Sequence, residues 1–140
     1  MKTLYTAHGS ATGGREGKAR TDTGNVELVL NTPKELGGGG GDGANPEQLF
    51  AMGYSACFLG ALKFAAGKEK VTIPDDAKVS ADIGIGPRDD GQGFGITAKL
   101  TVSLPGLDKA VAEDLVKKAH VVCPYSHATK GNIPVETTVA

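Results

Sequence analysis

The chain has 140 residues, 39% of them hydrophobic and 22% charged, which suits one soluble domain, residues 1–140, able to bury a core without disulfide staples. A net charge of −1 with interspersed signs, 5% aromatic residues and no tryptophan argue against nucleic acid or an anionic membrane as the main partner. Mixed polar residues follow Met1-Lys2 where a secretory signal would place an apolar run, so a cytoplasmic protein is expected.

Residues 4–12, with Thr, Ala and Tyr, predict a strand, and Gly13-Gly14-Arg15-Glu16-Gly17 a turn. Residues 26–30 predict a second, more buried strand that Pro33 terminates. The five glycines at 37–41, followed by Asp42-Gly43, predict a mobile loop. Asn45 is a good N-cap, Pro46 suits the first helical position, and Gln48 completes a capping-box pattern, so a helix is expected from there to Ala66, with Gly67 as its stop. Its middle is apolar on every side, so it needs cover all round. Its uncharged stretch, residues 48–62, is 15 long, short for a bilayer span.

Residues 79–86 and 95–104 flank a Gly/Asp-rich turn and predict a hairpin. Residues 107–120 predict an amphipathic helix with Val111, Leu115, Ala119 and Val122 on one side, stopped by Pro124. Residues 133–139 predict a closing strand. This order is α+β. One sheet and one amphipathic helix cannot cover the apolar helix fully, which points to an obligate dimer.

Cys57 lies mid-helix among apolar side chains, where burial raises a thiol pKa and a small buried hydrophobe is one reading. The helix N-terminus is about 18 Å away along the axis, too far to stabilise a thiolate, so a reactive Cys57 needs another cation. Cys123-Pro124-Tyr125-Ser126 is not a CxxC motif. Cys57, His120, Cys123 and His127 are of zinc-ligand type, although Pro124 interrupts the His120-x2-Cys123-x3-His127 spacing. The glycine run lacks the Gly-Lys-Ser/Thr of a phosphate loop. Taken alone, Glu47 complements the helix dipole and Arg15 is a solvated turn residue. A thiol enzyme, a dimeric zinc or small-ligand binder and a structural interaction domain all remain open on these residues.

Three motifs carry a resemblance across nearly the whole chain: Thr12-Gly13-Gly14-Arg15; Asn45-Pro46-Glu47-Gln48-Leu49-Phe50-Ala51 leading to Gly53-Tyr54-Ser55-Ala56-Cys57-Phe58; and Val122-Cys123-Pro124-Tyr125-Ser126 with Gly131-Asn132-Ile133. The sequence resembles the organic hydroperoxide resistance branch of the OsmC-like superfamily. The resemblance implies an intertwined homodimer with two long central helices enclosed by antiparallel sheets. It implies a peroxidatic Cys57, a resolving Cys123, and an Arg15–Glu47 pair, with no bound cofactor or metal. It further implies alkyl and fatty-acid hydroperoxides as substrates, and a dihydrolipoyl group on a protein as the external dithiol reductant. Phe50, Met52, Phe58 and Phe94 are candidates for an apolar substrate slot. Departures are Ala44 where threonine is common, His127 where asparagine is common, and Pro134 where aspartate is common. Only His127 bears on the implied chemistry, as a titratable neighbour of Cys123.

Overall fold

In the computed structural model, which describes Met1–Ala140, the backbone divides into two units, Met1–Leu49 and Phe50–Ala140. The architecture is α+β, with three helices and two three-stranded sheets.

In the first unit, β1 (Gly9–Thr12), β2 (Lys18–Thr21) and β3 (Glu27–Val29) form an antiparallel sheet in that order. Residues 4–8 carry no strand, so β1 is shorter than expected. The central strand β2, Lys-Ala-Arg-Thr, has no apolar alternation, and its place comes from ladder bonds to both neighbours. In the segment expected as a buried strand, Val29 is exposed and only Leu30 is buried. Glycine is required in the turn after β1. Gly13 and Gly14 have φ of 71° and 58°, and a Cβ on Gly17 would lie 1.7 Å from the Thr12 carbonyl oxygen. This turn presents Arg15.

The glycine run, expected to be mobile, is hydrogen-bonded to the chain before it. Gly38 and Gly40 donate their N–H groups to the carbonyls of Pro33 and Thr32, each at 3.0 Å. Gly43 donates to Asn31 Oδ1 at 2.6 Å. Such bonds leave no periodic signature in the sequence.

Helix α1 (Pro46–Lys68) opens with the expected reciprocal cap: Gln48 N–H donates to Asn45 Oδ1 at 2.9 Å and Asn45 N–H to Gln48 Oε1 at 3.0 Å. The helix runs past Ala66 and through Gly67. The left-handed residue that ends it is Lys70, at φ 55°, and Val71 N–H closes back on the Ala66 carbonyl at 2.9 Å. At 23 residues α1 is long and apolar enough to cross a bilayer. Within the second unit, however, Tyr54, Phe58, Ala61, Leu62, Ala65 and Ala66 form one buried face. Met52 and Phe64 remain exposed, so the chain by itself covers α1 only in part.

The expected hairpin is β4 (Lys78–Pro87) with β5 (Phe94–Ser103), paired antiparallel from Lys78↔Ser103 to Pro87↔Phe94. Helix α2 (Lys109–Val122) starts at Asp108, whose carboxylate accepts the Ala110 N–H at 2.9 Å. Its buried face is Ala112, Leu115, Val116 and Ala119. Val111 and Val122, expected inside, are exposed, because the buried stripe is rotated by about one residue and small alanines pack closest.

Pro124 does more than stop α2. It occupies the first position of α3 (Pro124–Thr129), where a fixed φ and a missing N–H carry no penalty. Strand β6 (Val135–Val139) then joins β5 in parallel, giving a mixed sheet in the order β4-β5-β6. Parallel neighbours need a long crossover, and α2 with α3 supplies it.

Candidate functional site

In the first unit, the Gly13–Gly17 turn brings Arg15 to Glu47, 32 residues away in sequence. The contact is a two-pronged fork: Nη1 donates to Oε2 at 2.8 Å and Nη2 to Oε1 at 2.7 Å. The Arg15 hydrogen bonds hold the Glu47 carboxyl below the usual carboxylate range, and burial opposes them. Arg15 is raised in turn, first by the same hydrogen bonds. Glu47 is well shielded at 13% side-chain exposure, while Arg15 keeps 36% and so presents a charge to its surroundings. The turn is secured from below: Glu16 Oε1 accepts the Thr32 N–H at 3.0 Å.

In the second unit, α1 presents Cys57 and the α2–α3 joint presents Cys123. The two sulfurs lie 3.3 Å apart across 66 residues of sequence, and both cysteines are free thiols. Cys57 is half-buried and Cys123 is fully buried. Burial pushes the Cys57 thiol up, as its apolar helix predicts. The Tyr125 backbone pulls the other way, and the neighbouring Cys123 adds to the rise. Cys123 is both the last cap of α2 and the first of α3, with an extended backbone at φ −68° and ψ 119°. Its sulfur accepts the Ser126 N–H at 3.5 Å.

Beside the sulfurs runs a chain of buried hydroxyls that sequence reasoning did not assemble. The Tyr54 hydroxyl lies 2.9 Å from Ser126 Oγ and 3.4 Å from Thr129 Oγ1. His120 bridges the next step, with Nδ1 2.9 Å from Ser126 Oγ and Nε2 2.8 Å from Thr137 Oγ1. Burial lowers the His120 pKa and so favours the neutral ring. The available signal was Tyr54 itself, a polar group in an otherwise apolar helix face that requires a buried partner.

The zinc-type residues do not converge: no three His, Cys, Asp or Glu side chains form a metal-holding group. Both His120 nitrogens face hydroxyls, and His127 is exposed, its backbone N–H donating to the Cys123 carbonyl at 3.0 Å. The four apolar candidates also part company. Phe50 stands edge-on to Tyr54, at 5.9 Å and 88°, and Phe58 is fully buried between Tyr54 and His120. Met52 and Phe94 are exposed, at 59% and 68%.

The geometry thus offers a forked guanidinium in one unit and a close thiol pair in the other. Residues 39–138 match the family described as OsmC-like protein. The chain is 53% identical, over 99% of its length and 96% of the relative's, to the organic hydroperoxide resistance protein of Xanthomonas axonopodis pv. citri. The crystal structure of an organic hydroperoxide resistance protein from Elizabethkingia anophelis superposes with a TM-score of 0.92 at 48% identity, covering 100% of this chain and 99% of that one. That of OhrB from Bacillus subtilis gives 0.89 at 37% identity, covering 99% and 100%. The chain therefore belongs to the OsmC-like family, in its organic hydroperoxide resistance branch.

Proposed function

We propose that this chain is a cytoplasmic cysteine-based peroxidase that reduces alkyl and fatty-acid hydroperoxides to alcohols. The observation that carries the proposal is the 3.3 Å approach of Cys57 and Cys123 as free thiols. The relatives' name, organic hydroperoxide resistance protein, supplies the substrate class.

The Cys57 thiolate attacks the distal peroxide oxygen. The O–O bond breaks, an S–O bond forms, and the alkoxide leaves to take up a proton. Cysteine sulfur is oxidised to sulfenic acid as the hydroperoxide is reduced. Cys123 then attacks the Cys57 sulfur as thiolate, and hydroxide leaves as water after protonation, so an intramolecular disulfide forms. A dihydrolipoyl-type dithiol carried by a partner protein exchanges with that disulfide, becomes oxidised itself, and restores both thiols. No cofactor is bound in this scheme.

Burial works against the attacking thiolate, so the reaction needs a fixed cation. Arg15 is one that never deprotonates, and its fork with Glu47 holds it in place. Glu47 and Cys57 are ten residues apart on α1, about 15 Å along an ideal helix axis, farther than an arginine spans. In our reading the protein is a homodimer in which the Arg15–Glu47 pair serves Cys57 of the partner subunit. The exposed apolar side of α1, with Met52 and Phe64, supports a second copy.

Steady-state reduction of cumene hydroperoxide with dihydrolipoamide tests the reading, with hydrogen peroxide and thioredoxin as comparison substrate and reductant. Wild-type protein should prefer the organic peroxide and the lipoyl dithiol. Cys57→Ser should be inactive and folded, because a serine hydroxyl is barely ionised at neutral pH. Near-wild-type turnover by Cys57→Ser overturns the assignment.

A further inference from the structure

The sulfurs are held 3.3 Å apart by segments that are not neighbours in sequence, and one side chain touches both segments. The His120 ring packs on Phe58, the residue after Cys57, with centroids 4.6 Å apart. Its Nδ1 is bonded to Ser126, whose own N–H points at Cys123 Sγ. Its Nε2 is bonded to Thr137 on β6, at the edge of the mixed sheet. His120 therefore ties the start of α3 to α1 on one side and to the sheet on the other. The short helix α3 also meets α1 through the Tyr125 ring, 5.8 Å from both Phe50 and Tyr54. Its six residues bury only the side chains of Ser126 and Thr129, and both of these also approach the Tyr54 hydroxyl.

We infer that His120 is a positioning residue for the resolving thiol, acting through Ser126 to hold Cys123 within attacking distance of Cys57. This deepens the peroxidase reading above and rests on its assignment of Cys123. An ordinary core histidine would need satisfied nitrogens and nothing more. What sets this one apart is that its partner is the residue whose amide contacts the sulfur, and that its ring contacts the residue beside the other sulfur. Attack at sulfur demands a defined approach of the incoming thiolate, so a small drift of α3 slows closure without touching the first oxidation.

A chromogenic probe separates the two steps without peroxide. The symmetrical disulfide of thionitrobenzoate exchanges with the Cys57 thiolate, releasing one thionitrobenzoate anion and leaving the other half on Cys57. Cys123 thiolate then attacks the Cys57 sulfur, the mixed disulfide breaks, and the second anion leaves. His120→Phe keeps an aromatic ring on Phe58 and deletes both hydrogen bonds, and Ser126→Ala deletes the shared hydroxyl. Each should slow the second release about tenfold, equivalent to about 1.4 kcal/mol of barrier, and leave the first within about twofold. The double variant should be no slower than His120→Phe alone, because both act on one link. Thr137→Val, isosteric on a strand, should slow closure by an intermediate factor and keeps the test alive if His120→Phe does not fold. Unchanged second release in Ser126→Ala and Thr137→Val, or equal slowing of both releases, overturns the inference. A parallel arm with cumene hydroperoxide keeps the two proposals apart. Wild-type protein that closes its disulfide with the probe but leaves the peroxide intact refutes the peroxidase reading alone.

Discussion

Removing the Arg15 guanidinium should change how readily Cys57 ionises. An ordinary cysteine, with pKa about 8.5, is about 3% thiolate at pH 7. Burial pushes Cys57 higher, so on its own it would be less ionised still. A cation within about 4–6 Å lowers an acid's titration by about one to three pH units, a change of about tenfold to a thousandfold in thiolate below the midpoint. Arg15 can act at a fixed place because two N–H groups grip both Glu47 oxygens at 2.8 and 2.7 Å. The measurement is the rate of alkylation by iodoacetamide against pH, with Cys123→Ser as background so that only Cys57 reports. The sign is fixed: a cation stabilises the thiolate, so its loss moves the midpoint upward. Arg15→Ala should move it up by about one to three units, and peroxidase turnover at neutral pH should fall in proportion. Arg15→Lys should recover only part of this, since an ammonium is a point charge that cannot fork a carboxylate. Glu47→Gln should fall between the two, keeping the guanidinium and loosening its hold. An unchanged midpoint in Arg15→Ala would refute the reasoning, because burial would then have no cation to oppose it.

Cys123→Ser should consume about one equivalent of cumene hydroperoxide per subunit and then stall, with mass spectrometry finding oxidised Cys57 and no intramolecular disulfide; sustained turnover with dihydrolipoamide would remove Cys123 from the mechanism. Mixing inactive Cys57→Ser with the weakened Arg15→Ala, under conditions that exchange subunits, should raise activity above that of either variant alone. The mixed dimer then contains one site with both groups intact; no recovery despite verified exchange would place the groups in a single chain. Tyr54→Phe should lower unfolding free energy by about 1–1.5 kcal/mol, since a buried hydroxyl bond to Ser126 is lost while Ser126 keeps His120. Urea denaturation with an unchanged midpoint would show that this bond contributes nothing.

What could be read from the sequence depended on whether the signal was local. The start of α1 is written in three residues of one four-residue stretch, Asn45, Pro46 and Gln48, and both reciprocal cap bonds formed. The β4–β5 hairpin is equally local, with its register closing at Pro87↔Phe94. Strand β2 went unread because Lys18-Ala19-Arg20-Thr21 has polar side chains on both faces and takes its place from backbone pairing. Helix α3 went unread because Pro124 signals an end and a beginning with the same chemistry. The parallel pairing of β6 depends on where a crossover lands, which no residue within 135–139 encodes. The site divides along the same line. The rise in the Cys57 thiol followed from its apolar neighbours, whereas Cys57 with Cys123, and Arg15 with Glu47, were paired by resemblance and not by spacing. The His120 cluster draws on positions 54, 126, 129 and 137, and only the fold collects them.

The 66-residue sequence separation of Cys57 and Cys123 also carries a thermodynamic consequence. A disulfide across a loop of that length removes entropy from the unfolded chain worth roughly 4 kcal/mol in the chain-entropy picture. Linkage runs both ways, so the folded structure favours the closed disulfide by the same amount over the open dithiol. For a two-electron couple that is about 90 mV towards a more negative potential than the same cysteines have in the unfolded chain. The fold that brings the sulfurs together thus makes the bond between them harder to reopen. On the peroxidase reading proposed above, such a bond calls for a strongly reducing dithiol.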